Sequence, residues 1–135
     1  MVTAGLLDTS TLILLGRVAD PSTLPDIPSI SAVTLAELSV GPLVASTDAE
    51  RVARQAHLQL AESDFAPIPF DAAAARAFAG VAASFRAAGR KPFARAFDAL
   101  IAATAISRGL PLHTCNPADF QDITGLDVRP VPVAG

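Results

Sequence analysis

The segment Asp98-Ala99-Leu100-Ile101-Ala102-Ala103-Thr104-Ala105, with Phe97 before it, carries a single charge and is apolar on every face of a helix. A helix of that kind is buried. A carboxylate at its head, ionised and without a partner, would be penalised by several kcal/mol. Asp98 is therefore neutral, paired with Arg95 one turn earlier, or bound to a cation. An N-cap role is a fourth option if the helix begins only at Ala99.

The rest of the chain alternates strands with helices. Leu6-Leu7 is a short apolar strand running into Asp8-Thr9-Ser10. Thr11 to Val18 has a helical apolar pattern, and Asp20-Pro21-Ser22 breaks it. A short strand surrounds Ile30, and a helix from Ala32 to Ser39 stops at Gly41-Pro42. Asp48 to Ser63 is amphipathic, with Val52, Ala56 and Leu60 on one face. Ala66 to Phe70 contains Pro67 and Pro69, so it forms at most an edge strand or a very short one. Asp71 N-caps an alanine-rich helix that ends near Gly89. A second helix covers Ala94 to Arg108, closed by Gly109 and Pro111. Leu112–Thr114 is a strand, and Val128–Val131 is a weak last one. No hairpin signals separate these elements. The pattern predicts an α/β fold, a three-layer domain spanning 1–135 with a central, mainly parallel sheet of four to five short strands flanked by helices.

Composition narrows the class. Of 135 residues, 51% are hydrophobic and 17% charged, which excludes a disordered chain and allows one core. No apolar run approaches the roughly 18 residues that cross a bilayer. With one cysteine, no internal disulfide forms. That cysteine, Cys115, and the lack of a leader pattern point to the cytoplasm. A net charge of −3 argues against a protein that coats nucleic acid by bulk attraction, yet allows a local basic strip. Tryptophan and tyrosine are absent, so any base-stacking platform would have to use one of the seven phenylalanines.

Four acids stand where chemistry is possible. In an open α/β sheet, ligands bind beyond the carboxyl ends of the strands. Asp8 sits there, although it or a neighbouring hydroxyl residue would also cap the next helix. Glu37 interrupts an apolar helix segment. Thr34 three residues before it makes the alternative reading a capping box. Asp98 has been described. Asp119 follows the Leu112–Thr114 strand in Thr114-Cys115-Asn116-Pro117-Ala118-Asp119-Phe120, where it would otherwise cap a short final helix. Carboxylates with hydroxyl and amide oxygens, and no paired His or Cys, suit Mg²⁺ or Mn²⁺ and disfavour zinc. A hard cation also lets clustered carboxylates remain ionised. Such sites hydrolyse phosphodiesters.

Arg86, Arg90, Lys91 and Arg95 lie in a stretch without acids just before Asp98, and Arg90, Lys91 and Arg95 are candidates to contact the backbone of a phosphate polyanion. The competing reading is a solvated loop and helix end. His57 is expected to be exposed, His113 to be a core or sheet-surface residue, and Cys115 to be an inert neighbour. The helices around Phe78 and Phe85 carry enough apolar surface to suggest an interface.

Leu7-Asp8-Thr9-Ser10, Thr34-Leu35-Ala36-Glu37-Leu38, the block Asp98 to Ala105, and Thr114 to Phe120 together resemble the successive motifs of the PIN-domain family. More narrowly they resemble the VapC-type toxins of bacterial toxin–antitoxin pairs. The resemblance implies a Mg²⁺- or Mn²⁺-dependent endoribonuclease, a homodimer, and a small cognate antitoxin of VapB type whose tail lies in the active-site groove. By motif matching, Asp8 and Asp98 would be the principal metal ligands with Glu37 in the same cluster. Asp119 would be a fourth acid, and Ser10, Thr114 and Asn116 would support or extend the site. Some relatives carry Asp at the position of Asn116. Two arrangements therefore stay open: Asp119 as the fourth carboxylate, or a site with a weaker second cation position. The functional alternative is a PIN-fold module that binds a protein or RNA without cleaving it.

Overall fold

A computed structural model describes residues 1–91 and 95–135. The strands are β1 (Ala4–Leu7), β2 (Ile27–Ser29), β3 (Leu112–Thr114) and β4 (Val128–Pro130). The helices are α1 (Thr9–Ile13), α2 (Ala32–Val40), α3 (Asp48–Asp64), α4 (Ala72–Ala87) and α5 (Ala96–Arg108). The sheet order is β2-β1-β3-β4, and every pair is parallel. A parallel sheet must be covered on both faces, and β1 shows how. Successive side chains of a strand point to opposite sides. Leu6 enters a cluster with Phe85, Ile101 and Phe120, whereas Leu7 joins Leu12, Ile30 and Ala61. The first cluster lies under α4 and α5, the second under α1, α2 and α3. Three layers result.

The sheet has four strands, the lower bound of the expectation. Ala66–Phe70 contributes only a single parallel bridge between Ser31 and Ile68, as two prolines in five residues dictate. Four helices, α2 to α5, fill the chain between β2 and β3. The segment after Asp8 is helical only to Ile13 and then tightens into a 3₁₀ turn over Leu15–Arg17. The expected helix start at Ala94 lies outside the described residues, and α5 is described from Ala96.

The expected starts of α2 at Ala32, α3 at Asp48 and α4 after Asp71 are all observed, and one capping alternative falls. Asp71 caps α4 by accepting from the Ala74 amide at 3.0 Å. Ser31, not Thr34, caps α2, accepting from Thr34 N at 3.1 Å. Thr34 is thus already inside the helix, and the capping-box reading of Glu37 falls. The expected interface around Phe78 and Phe85 is also corrected. Phe85 is 1% exposed, and Phe78 packs against the same core. Among the described residues the exposed apolar side chains include Val40, Leu43, Val44, Val52 and Phe97 instead. No described helix is long and apolar enough to cross a membrane.

Candidate metal centre

The carboxyl ends of β1 and β3 lie side by side, because these strands are neighbours in the sheet. Asp8 follows β1 and is 4% exposed. It caps α1, accepting from Thr11 N at 3.0 Å, so the capping role and a place at the strand end coexist. Its carboxylate also accepts from the Thr11 and Thr114 hydroxyls, the latter at 2.7 Å, and from Ser10 at 3.1 Å. The loop after β3 reaches Asp8 through the same two threonines. Cys115 N donates to Thr11 Oγ1 at 3.0 Å, and Asn116 N donates to Thr114 Oγ1 at 2.9 Å. Asp8 is therefore held at once from the start of α1 and from the end of β3.

Glu37 comes from the middle of α2. Thr9 Oγ1 donates to its Oε1 at 2.6 Å and stands 3.0 Å from the Thr34 hydroxyl. Asp98 lies in the first turn of α5, which excludes the N-cap role considered for it. Asp119 lies in a 3₁₀ turn, Pro117–Phe120, whose N-cap position is Asn116. One cleft of ≈ 220 Å³ takes its walls from Asp8, Glu37, Asp98 and Asp119, with Thr9, Ser10 and Asn116 between them. Four acids separated by up to 111 positions of chain meet in it (119 − 8).

The electrostatics are those of a crowded anionic site. Burial pushes the Glu37 carboxyl above its ordinary value; the Thr9 hydrogen bond opposes this, and the charges of Asp98 and Asp8 add to it. Asp98 is raised by burial first, then by the charge of Asp119, against the pull of Arg95. Arg95 is the cation in contact, 2.7 Å from Asp119 and 3.5 Å from Asp98. Among the described residues, no three His, Cys, Asp or Glu side chains already stand in ligating geometry. The donor set nevertheless fits a hard divalent ion. The cleft offers carboxylate, hydroxyl and amide oxygens, with no His, Cys or Lys among its walls.

The raised carboxyls have a consequence for stability. A carboxyl whose folded pKa exceeds its unfolded one favours folding fully below the unfolded value, about 4.3 for Glu. That contribution is lost as pH rises through the folded value. Metal-free Glu37→Gln should therefore lose less thermal stability than the parent between about pH 4 and pH 8, and should melt higher at neutral pH. Melting curves in chelator across that range check this; parallel profiles for the two proteins would contradict it.

Of the basic candidates, Arg90 has another task. Its guanidinium donates to the carbonyls of Gln121 at 3.1 Å and Asp119 at 3.3 Å, and lies 4.7 Å from the Phe85 ring centroid. It ties the Asp119 turn to the end of α4. Lys91 is exposed. His113 is buried, 4% exposed, with Nδ1 3.0 Å from the Thr23 carbonyl. Burial lowers its pKa, so the ring is neutral and Nδ1–H donates. His57 is not fully exposed; it is half-buried and lines a second cavity that shares Thr9, Ile13 and Glu37 with the cleft. Cys115 is half-buried beside the site.

Sequence reasoning missed Thr9 and Thr11, which orient Glu37 and Asp8. The available signal was a run of three hydroxyl residues, Thr9-Ser10-Thr11, directly behind a strand-end carboxylate.

The model of the PIN domain matches residues 6–126 of this chain. Ribonuclease VapC5 of Mycobacterium tuberculosis is 40% identical over 124 residues, covering 90% of this chain and 89% of that protein. Ribonuclease VapC8 of the same species is 40% identical over 107 residues, covering 77% of this chain and 92% of that one. Among solved structures, VapBC-5 from M. tuberculosis, a member of the VapBC family of toxin–antitoxin systems, superposes with a TM-score of 0.82 at 36% identity. It covers 96% of this chain and 99% of the other. The match spans the first strand, all five helices and the acid-bearing turn after β3, and by it this chain belongs to the PIN-domain family, among the VapC proteins.

Proposed function

We propose that residues 1–135 act as one PIN-domain unit, the toxin of a type II toxin–antitoxin pair, and hydrolyse RNA phosphodiester bonds with Mg²⁺ or Mn²⁺. The observation that carries this reading is the meeting of Asp8, Glu37, Asp98 and Asp119 in one cleft at the strand ends. The names of the relatives support it: two are ribonucleases, and the matching complex is a toxin–antitoxin system. A small VapB-like antitoxin is the corresponding partner, a homodimer the corresponding assembly, and the cytoplasm the corresponding compartment.

In this reading Asp8 and Asp98 hold the cation, with Glu37 and Asp119 completing the anionic wall. Ser10, Thr114 and Asn116 support it. A bound divalent ion supplies Lewis acidity toward the phosphate and lowers the pKa of the attacking water. The remaining work is done by side chains. Asp8 is oriented as a ligand by the Thr11 and Thr114 hydroxyls, and Ser10, its longest-bonded donor, would yield its place to the cation. Glu37, kept above the usual carboxyl range and steadied by Thr9, orients the water and takes its proton.

Incubation of the purified chain with structured RNA tests the proposal. Cleavage is expected with Mg²⁺, and its loss is expected in excess chelator and in a folded Asp98→Asn variant. Full activity in either condition would overturn it. A module that only binds RNA or protein would show no cleavage in any lane, and hydrolysis of DNA or small phosphate esters in place of RNA would point to a different phosphoesterase.

A further inference from the structure

Arg95 stands at the N-cap of α5 but makes no capping hydrogen bond. Its side chain is committed to acids of the cleft. One guanidinium nitrogen, NH1, lies 2.7 Å from Asp119 Oδ1 and 3.5 Å from Asp98 Oδ2, so it spans an acid from α5 and an acid from the turn after β3. Both carboxylates line the cleft and are partly shielded, with side chains 31% and 27% exposed. A positive group so placed occupies the lone pairs that a cation would use, and it repels any cation that approaches them.

We propose that Arg95 is an internal counter-ion that competes with the divalent cation for Asp98 and Asp119, so that loading the metal requires the guanidinium to let go. This rests on the reading of the cleft as a metal centre. The exchange swaps one ion for another and breaks no covalent bond. It also reconciles two roles for one side chain. Held by the two acids, Arg95 offsets part of the negative charge of the cleft. Released, it stands at the rim of the same cleft, 48% exposed, where a phosphate of RNA can take it as a partner. Linkage makes the effect reciprocal: whatever the ion pair subtracts from cation affinity, the cation subtracts from the ion pair.

Mn²⁺ titration followed by electron paramagnetic resonance tests this without any measurement of activity. Removing the competitor in Arg95→Gln should tighten Mn²⁺ binding by roughly three- to tenfold, the scale of two partly exposed ion pairs. A role confined to structure would leave affinity unchanged or weaken it, and either result overturns the proposal. The unmodified protein gives a second readout should the variant fold poorly. In a ¹⁵N-labelled sample, the Arg95 Nε–Hε resonance should leave its ion-paired position as Mg²⁺ is added; a resonance that stays put through saturation overturns the proposal. If neither protein binds Mn²⁺, the metal-centre reading fails and this one with it. If the parent binds and Arg95→Gln binds no more tightly, only the counter-ion role is lost.

Discussion

Asp8→Asn should remain folded while its divalent-dependent RNA cleavage falls by two to three orders of magnitude or more, roughly the effect of deleting one preorganised charged group from a site. The amide can replace most of what the carboxylate does for structure. Its oxygen accepts from Thr11 N, and its NH₂ donates to Thr114 Oγ1, which has a second lone pair beside the one engaged by Asn116 N. What it cannot supply is the negative charge. Asp8→Ala should separate the two roles. It deletes the cap of α1, about 1 kcal/mol. It also leaves the buried Thr114 hydroxyl without its acceptor, a further penalty of about 1–3 kcal/mol. Thr11 retains a weak alternative in the His113 carbonyl at 3.3 Å. Together these predict a fall in melting temperature on the order of 10 °C for a chain of this size. Cleavage assays and thermal melts of both variants check the pair. An active Asp8→Asn would remove Asp8 from the site, and an Asp8→Ala as stable as the parent would remove it from the scaffold.

The second large effect is expected at Gly5, in the central strand β1. A Cβ there would come within 2.4 Å of His113 Cδ2, 2.5 Å of His113 Nε2 and 3.2 Å of Pro25 Cβ. The ring has no easy retreat, since it is buried and its Nδ1–H is held by the Thr23 carbonyl. Among the described residues, Nε2 is the buried side-chain polar atom left without a partner, a sign of how tightly the ring is set against the strand. Gly5→Ala therefore overpacks the sheet at its middle and should lose about 1–3 kcal/mol. It should also lower activity, because pushing β3 away moves Thr114, the donor to Asp8. A double-mutant cycle identifies the cause. In a His113→Ala background the added methyl should be nearly neutral. An equal penalty in both backgrounds would mean that the collision with His113 is not responsible.

Most of the frame was legible because burial imposes a period. The run from Asp98 to Ala105 had to be an interior helix, and five of its residues after Leu100, Ile101 through Ala105, are indeed buried. The prolines at 67 and 69 correctly demoted their segment from the sheet. Helix caps were less secure. Ser31 and Thr34 are both good caps chemically, and only the extended backbone at Ser31 decides between them. The tie from Arg90 to the Asp119 turn was not legible, because its partners are main-chain carbonyls 29 and 31 positions away, which no composition of side chains can reveal. Apolar surface was sought on the alanine-rich helix. The core absorbed Phe85 there, while Leu43 and Val44, unremarkable as letters, were left 83% and 64% exposed.

The order β2-β1-β3-β4 has a consequence for how the protein is made. β1 precedes the other three strands in the chain yet is an inner strand, and its neighbour on one side follows more than a hundred residues later. A nascent chain translated only through α4 has Asp8 and Glu37 but neither Asp98 nor the hydroxyl of Thr114 that steadies Asp8. Long-range closure of this sort comes late in folding. An activity dangerous to the translating cell is thus withheld from the growing polypeptide until the segment carrying Asp98 and Thr114 has emerged.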